Sequence, residues 1–205
     1  MPRQRHTTLK VVVTGPFNAG KTTLISTISE IPVLTTETSV SDAARERKKR
    51  TTVSMDFGRI TVAGDPVIEL AMVGTPGQAR FDFMWNVLSK GMLGYVLMVD
   101  VADASTWAEA KAIRDHFRVL GRVPYVVAAN RSDGDDAAPL ALRRTLELPD
   151  HVRVVPCNVV EIASAKDVML ALLVDVLTAI EARPGLHATT QAHHPGPAHV
   201  NVRVG

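Results

Sequence analysis

The chain has 205 residues, 46% hydrophobic and 21% charged, with a formal net charge of +2. These proportions fit one soluble globular domain with a full core, and a balance so near neutral gives no reason to invoke nucleic acid. No run reaches the roughly 18 apolar residues of a membrane span. The basic start, Met1-Pro2-Arg3-Gln4-Arg5, has no apolar stretch behind it, so no secretory signal is expected. There is no glycine at position 2 for myristoylation, and Val202-Arg203-Val204-Gly205 offers no cysteine for prenylation. A lone cysteine, Cys157, excludes an internal disulfide and suits a cytoplasmic protein.

In chain order, the valine-rich run Leu9 to Thr14 stops at Gly15 and reads as a strand buried on both faces, as in a parallel sheet. Lys21 to Ser29 reads as a helix with Leu24, Ile25 and Ile28 on one side. Glu30 to Thr52 shows no period and is rich in threonine, serine and charge, which predicts a long functional loop with at most one helical turn. Ser54 to Thr61 and Val67 to Val73 read as two strands joined by a short turn, hence an antiparallel hairpin. Phe81 to Lys90 predicts a helix and Tyr95 to Val99 a strand. Trp107, Ala110, Ile113, Phe117 and Leu120 mark an amphipathic helix over Thr106 to Leu120. A strand at Tyr125 to Ala129, a short helix at Pro139 to Leu146 and a strand at Val152 to Cys157 follow. The last helix is expected from about Ala165 to Ile180, opened by a capping box of Ser164 and Asp167.

Strands alternating with helices predict an α/β fold of three layers: a six-stranded, mostly parallel sheet with one antiparallel edge strand and about five helices. Residues 1–8 are expected to be a flexible N-terminus, 9–182 the domain, and 183–205 a disordered tail. That tail holds four of the seven histidines, three prolines and three glycines. Its histidines His193, His194 and His199 read as unstructured rather than metal-binding.

Gly15-Pro16-Phe17-Asn18-Ala19-Gly20-Lys21-Thr22 fits G-x-x-x-x-G-K-[ST] and stands between a predicted strand and a predicted helix. Such a loop turns successive N–H groups on Gly15, Asn18, Ala19, Gly20 and Lys21 toward phosphate oxygens, and the helix N-terminus at Thr22 and Thr23 adds its dipole. Lys21 is then expected to bridge the outer phosphates and Thr22 to ligate Mg2+. The base needs separate residues. Asn130-Arg131-Ser132-Asp133 follows a strand at the edge where α/β sheets bind ligands. The Asp133 carboxylate suits the ring N–H and exocyclic amine of guanine, whereas adenine would leave it unpaired.

Here the chain resembles Ras-like GTPases, whose guanine motif is N-K-x-D, with arginine for lysine at 131. The resemblance implies a P-loop GTPase domain that binds GTP and GDP with Mg2+. It also implies a third base element after the strand ending at Cys157, with Asn158 and backbone N–H groups around Val159 meeting the base. Ser164-Ala165-Lys166 matches the tripeptide that Ras-like proteins use there, but it reads as the opening of the last helix. Thr52 is the expected threonine that senses the γ-phosphate and holds the metal. Gly77 and Gln78 occupy the glycine and glutamine of D-x-x-G-Q, so Gly77 would contact the γ-phosphate and Gln78 would orient the attacking water. Gly74 stands where that motif has aspartate.

The series Thr51-Thr52-Val53-Ser54-Met55-Asp56-Phe57-Gly58 with Gly74-Thr75-Pro76-Gly77-Gln78 resembles prokaryotic Ras/Arf-like GTPases of the Roadblock-associated, actinobacterial conservon type. Such relatives imply a Roadblock/LC7-type partner and a sensor-kinase-like membrane protein, hence peripheral membrane contact through partners. Phe17, where Ras has glycine, implies slow hydrolysis that a partner accelerates. The basic run Arg45 to Arg50 reads as a solvated loop ahead of an acidic-partner site or an arginine finger at Arg50. Two other readings stay open: a GTP-binding scaffold without hydrolysis, and a P-loop kinase or ATPase.

Overall fold

The computed structural model describes residues 6–40, 51–62, 67–77, 79–121, 123–132 and 137–182. Strand β1 (His6–Thr14) is followed by α1 (Lys21–Ile28), then β2 (Leu34–Val40), β3 (Thr51–Val62) and β4 (Val67–Gly74). A 3-10 turn (Ala79–Phe81) leads into α2 (Asp82–Leu88) and β5 (Met92–Asp100). After a second 3-10 turn come α3 (Trp107–Leu120), β6 (Tyr125–Asn130), α4 (Ala137–Thr145), β7 (Val154–Cys157) and α5 (Ile162–Glu181).

These strands form one sheet in the order β2-β3-β4-β1-β5-β6-β7. Five of them run parallel through β4-β1-β5-β6-β7, while β3 is antiparallel to both of its neighbours. The three-layer, mostly parallel α/β architecture is the one the sequence predicts, with its five helices and its β3–β4 hairpin. Its strand count among the described residues is seven rather than six. The additional strand, β2, lies inside the segment expected to be loop and pairs with β3 from Leu34↔Phe57 to Val40↔Thr51. Pairing turns an edge segment without apolar alternation into a strand, because backbone hydrogen bonds are indifferent to the side chains. It also moves the antiparallel strand from the edge to second place. β1 begins at His6 and so takes in the last three residues of the segment expected to be flexible. Residues 1–5, the basic run 45–50 and the tail 183–205 lie outside the described residues.

Alternation along the strands sorts the core into two clusters, one on each face. Val11, Val13, Met72, Val96, Met98, Val126 and Ala128 meet Leu24 and Ile25 of α1 and Leu172 of α5. Their strand neighbours Val12, Tyr95, Leu97, Val99, Val127 and Ala129 face the other way onto Trp85, Ile113, Phe117 and Leu142. Burial on both faces is why these strands read as unbroken apolar runs. Cys157, buried at the end of β7, has its thiol pushed up to about 12 by desolvation and is chemically quiet. Among the described residues no helix is long and apolar enough to cross a membrane.

Because β1, β4, β5, β6 and β7 are parallel, their carboxyl ends share one edge of the sheet. Val13 stands beside Gly74, Thr14 beside Leu97, and Asn130 beside both Asp100 and Cys157. The loop after β1, the segment after Gly74 and the loops after Asn130 and Cys157 therefore open onto a common crevice, the usual ligand position in open α/β sheets.

Candidate nucleotide site

The loop from Gly15 to Thr22 is held in shape by its backbone angles and by what crowds it. Gly15 has φ 143°, and a Cβ there would come within 2.2 Å of the Met98 carbonyl oxygen. Gly20 has φ 101° at the head of α1, and a Cβ there would strike Asn130 Nδ2 at 2.5 Å. Asn18, at φ 62°, occupies the left-handed region that asparagine tolerates better than most residues. Both motif glycines are thus required by geometry, the first by the strand beside it and the second by the base loop.

Lys21 folds back over the loop, donating from Nζ to the carbonyls of Gly15 at 2.9 Å and Pro16 at 2.5 Å. Burial lowers its pKa to about 8, only partly offset by the carboxylates of Glu109 and Asp56. An ammonium held in this desolvated position lacks a full counter-charge, which is what an arriving phosphate supplies. Thr22 Oγ1 donates to Asp56 Oδ2 of β3 at 2.5 Å. The Thr22 hydroxyl is a hard oxygen at the start of α1, the donor type Mg2+ takes together with phosphate oxygens and water. It therefore fits a nucleotide-bound magnesium.

Asn130 joins the loop after β1 to the loop after β7. Its amide is buried; Nδ2 donates to the Ala19 carbonyl at 3.1 Å, and Oδ1 accepts the Val159 N–H at 3.2 Å. Arg131, at φ 60°, turns its guanidinium back to pair with the Asp100 carboxylate at the end of β5. Asp100 also accepts the N–H of Ala102 at 3.0 Å, so it both closes a turn and orients the arginine. Thr27 Oγ1 donates to the Val159 carbonyl at 2.8 Å, fixing the loop after β7 on α1.

Two expectations about that loop change. The Val159 N–H is donated to Asn130, so it is not free for a base; the next N–H, on Val160, is in an exposed turn and has no partner among the described residues. α5 begins at Ile162, and Ser164 caps nothing there: its hydroxyl turns back to accept the Asn158 N–H at 2.9 Å. Ser164-Ala165-Lys166 does lie in the opening turns of the helix.

Beyond Gly74, Thr75 bonds to β1 through its N–H to Val13 O and its hydroxyl to Thr14, both at 2.9 Å. Gly77 lies on the phosphate loop, where a Cβ would meet Lys21 Nζ at 2.6 Å and Phe17 N at 2.8 Å. The indole of Trp85 donates to Pro76 O at 3.1 Å and anchors this segment to the core. Phe17 is exposed at the rim. Thr52 lies within β3 opposite Ser39 rather than in a loop. Gln78 and Asp133 lie outside the described residues. The structure thus gathers Gly15, Ala19, Gly20, Lys21, Gly77, Asn130, Arg131 and Val159 around one crevice. Sequence reasoning missed Asp56, and it pointed to the backbone around Val159 without singling out Val160. Asp56 was signalled only by an acid on the inward face of a strand. A separate cleft of about 550 Å³, lined by Tyr95, Arg118, Tyr125, His151 and Asp175, lies by the opposite ends of β5 and β6.

A glycine-ringed loop between β1 and α1, with a buried lysine and a helix N-terminus facing the crevice, makes the chain a P-loop nucleotide-binding protein. It belongs to the family described as "Conserved hypothetical ATP binding protein", which it matches over residues 32–179. That match begins after α1, so the loop itself is independent support. The chain is also similar to the Ypt/Rab-type GTPase YPT7 of Saccharomyces cerevisiae, at 27% identity over 72% of this chain and 69% of that protein. A second relative is an uncharacterized protein of Methanocaldococcus jannaschii, 27% identical over 62% of this chain and 73% of its own.

Asn130→Ala leaves the Val159 N–H and the Ala19 carbonyl without their buried partner. We expect a loss of about 2 kcal/mol or more, read as a melting temperature roughly 4–8 °C lower without nucleotide. An unchanged melt would show that the bridge is idle.

Proposed function

We propose that the protein is a guanine-nucleotide switch that binds GTP and GDP with Mg2+ and hydrolyses GTP slowly. The observation that carries this reading is the buried Asn130 amide, which ties the phosphate loop to the loop after β7 and leads directly into Arg131-Ser132-Asp133. With Asn130 committed to the scaffold, recognition of the base falls to Asp133 and to the exposed backbone at Val160. The similarity to a Rab-type GTPase supports the same base. The family description speaks for ATP, and the two readings part on affinity. Binding of the protein to GTP, GDP and ATP should show guanine preferred by about ten-thousandfold, the discrimination of a site built to hydrogen-bond groups that the wrong ligand lacks. Asp133→Ala should erase that preference. Tighter binding of ATP than of GTP refutes the guanine reading.

Hydrolysis is assigned to water held by Gln78, with Lys21 and Thr52 on the γ-phosphate and Thr22 and Thr52 on the metal. The loop ahead of Thr52 and the segment 74–85 are the parts that respond to the γ-phosphate. Phe17 at the rim narrows access for water and for a partner's arginine, so acceleration is left to a Roadblock/LC7-type partner of the conservon class. Signalling through that partner, in the cytoplasm or beside a membrane sensor protein, completes the proposal. In single-turnover assays Gln78→Leu should slow GTP cleavage by about a hundredfold. An unchanged rate would mean that Gln78 has no part in the chemistry and would favour a GTP-holding scaffold.

Lys21 makes binding pH-dependent. Its pKa is about 8 in the free protein, and a bound phosphate raises it. Binding therefore takes up a proton above pH 8, and affinity falls as pH rises. Calorimetry should show nearly constant affinity up to pH 7 and binding about tenfold weaker at pH 9. Lys21→Met should flatten the profile. A flat wild-type profile would remove Lys21 from the phosphates.

A further inference from the structure

We propose that Asp56, on β3, supplies the metal-steadying carboxylate of this site in place of the aspartate that Gly74 lacks. The inference rests on the reading of the crevice as an Mg2+-nucleotide site and concerns which residue completes it.

β4 ends at Gly74 beside Val13, one strand over from the phosphate loop. The space above Gly74 is taken: a Cβ there would come within 3.3 Å of Asp56 Cβ, 3.4 Å of Asp56 Oδ2 and 3.1 Å of Ile25 Cδ1. The Asp56 side chain thus lies where a longer residue at 74 would project. Topology explains why. β3 runs against β4, with Phe57 opposite Val73, so the pairing carried one step further sets Asp56 beside Gly74. An antiparallel strand brings an early residue to the edge where its parallel neighbours end.

The carboxylate is buried, with its residue only 7% exposed, and a buried carboxylate is costly unless it serves a cation or donors. It has both. Its Oδ2 accepts the hydroxyl of Thr22 at 2.5 Å, and its charge favours the ammonium of Lys21. A carboxylate within hydrogen-bond reach of the Thr22 hydroxyl is placed to orient that hydroxyl and would accept hydrogen bonds from water on a metal held there. Partners of this kind commonly set metal affinity by about ten- to a hundredfold. Among the described residues no group of three or more His, Cys, Asp or Glu could hold a metal without the nucleotide. A metal here would therefore draw on phosphate oxygens as well as on Thr22 and Asp56.

The test is release of tritiated GDP from the full chain across an Mg2+ titration, with the same titration on ATP. In the wild type, Mg2+ should slow release with a defined half-saturation. Asp56→Asn keeps the shape and an acceptor oxygen for Thr22, so the fold should persist; its half-saturation should rise by about tenfold or more. Moving the carboxylate back, in the double variant Asp56→Gly with Gly74→Asp, should restore Mg2+ dependence to within about threefold of wild type, whereas Gly74→Asp alone, crowded against Asp56 and Ile25, should not. If Asp56→Asn titrates like wild type, Asp56 has no role at the metal and the proposal falls. It falls equally if the double variant is no better than Asp56→Asn. Failure of the broader reading looks different: a wild type that holds ATP but not GDP leaves the Asp56 comparison readable on ATP. A wild type whose nucleotide release ignores Mg2+ overturns both.

Discussion

The buried amide of Asn130 is the contact on which the crevice depends. Parallel strands bring four loop origins to one edge, but loops that share an edge are not thereby locked to one another. A single side chain with one donor and one acceptor in use, to Ala19 and from Val159, converts neighbouring loops into one body. Gly20 has no side chain because the amide fills that space, and the head of α1 is set by the same contact. Thr27, on the next turn but one of that helix, then secures the far loop a second time.

The two halves of the crevice are built on different terms. The side around Asn130 rests on neutral hydrogen bonds and the partly exposed Arg131–Asp100 pair, which screening by solvent weakens. The phosphate half holds a desolvated ammonium on Lys21 whose nearest acceptors are carbonyls. That half is electrostatically incomplete, a common property of functional sites, where groups are held at some cost to stability so that a ligand can relieve it.

How much of this was legible in the sequence follows from where order is encoded. The strands buried on both faces announce themselves as valine-rich runs, and the phosphate loop carries its own backbone requirements in Gly15 and Gly20. β2 did not, since Leu34 to Val40 contains Thr-Thr-Glu-Thr-Ser and no apolar alternation; only its threonines, which favour extended backbone, hinted at pairing. The Asn130 motif was read for its chemistry, yet its amide faces the scaffold, and the Val159 N–H was consumed by it. Asp56 was hidden because a strand pattern read alone treats an acid as outward-facing. Only the pairing of β3 with β4 shows that Asp56 and Gly58 face α1, two small or polar residues where an apolar pair would be expected. Ser164 taught the converse: a familiar tripeptide within a helix start had a structural task, holding the Asn158 N–H.

The chain has two tryptophans, and the fold assigns one to each half of the crevice. The Trp85 indole is hydrogen-bonded to Pro76, directly before Gly77, and stands edge-on to His116 at 5.0 Å. The Trp107 indole is hydrogen-bonded to the Asp100 carbonyl, whose side chain holds Arg131. The molecule therefore carries one indole beside the Pro76-Gly77 backbone and the other beside the Asp100–Arg131 pair, so the two rings report on opposite sides of the crevice.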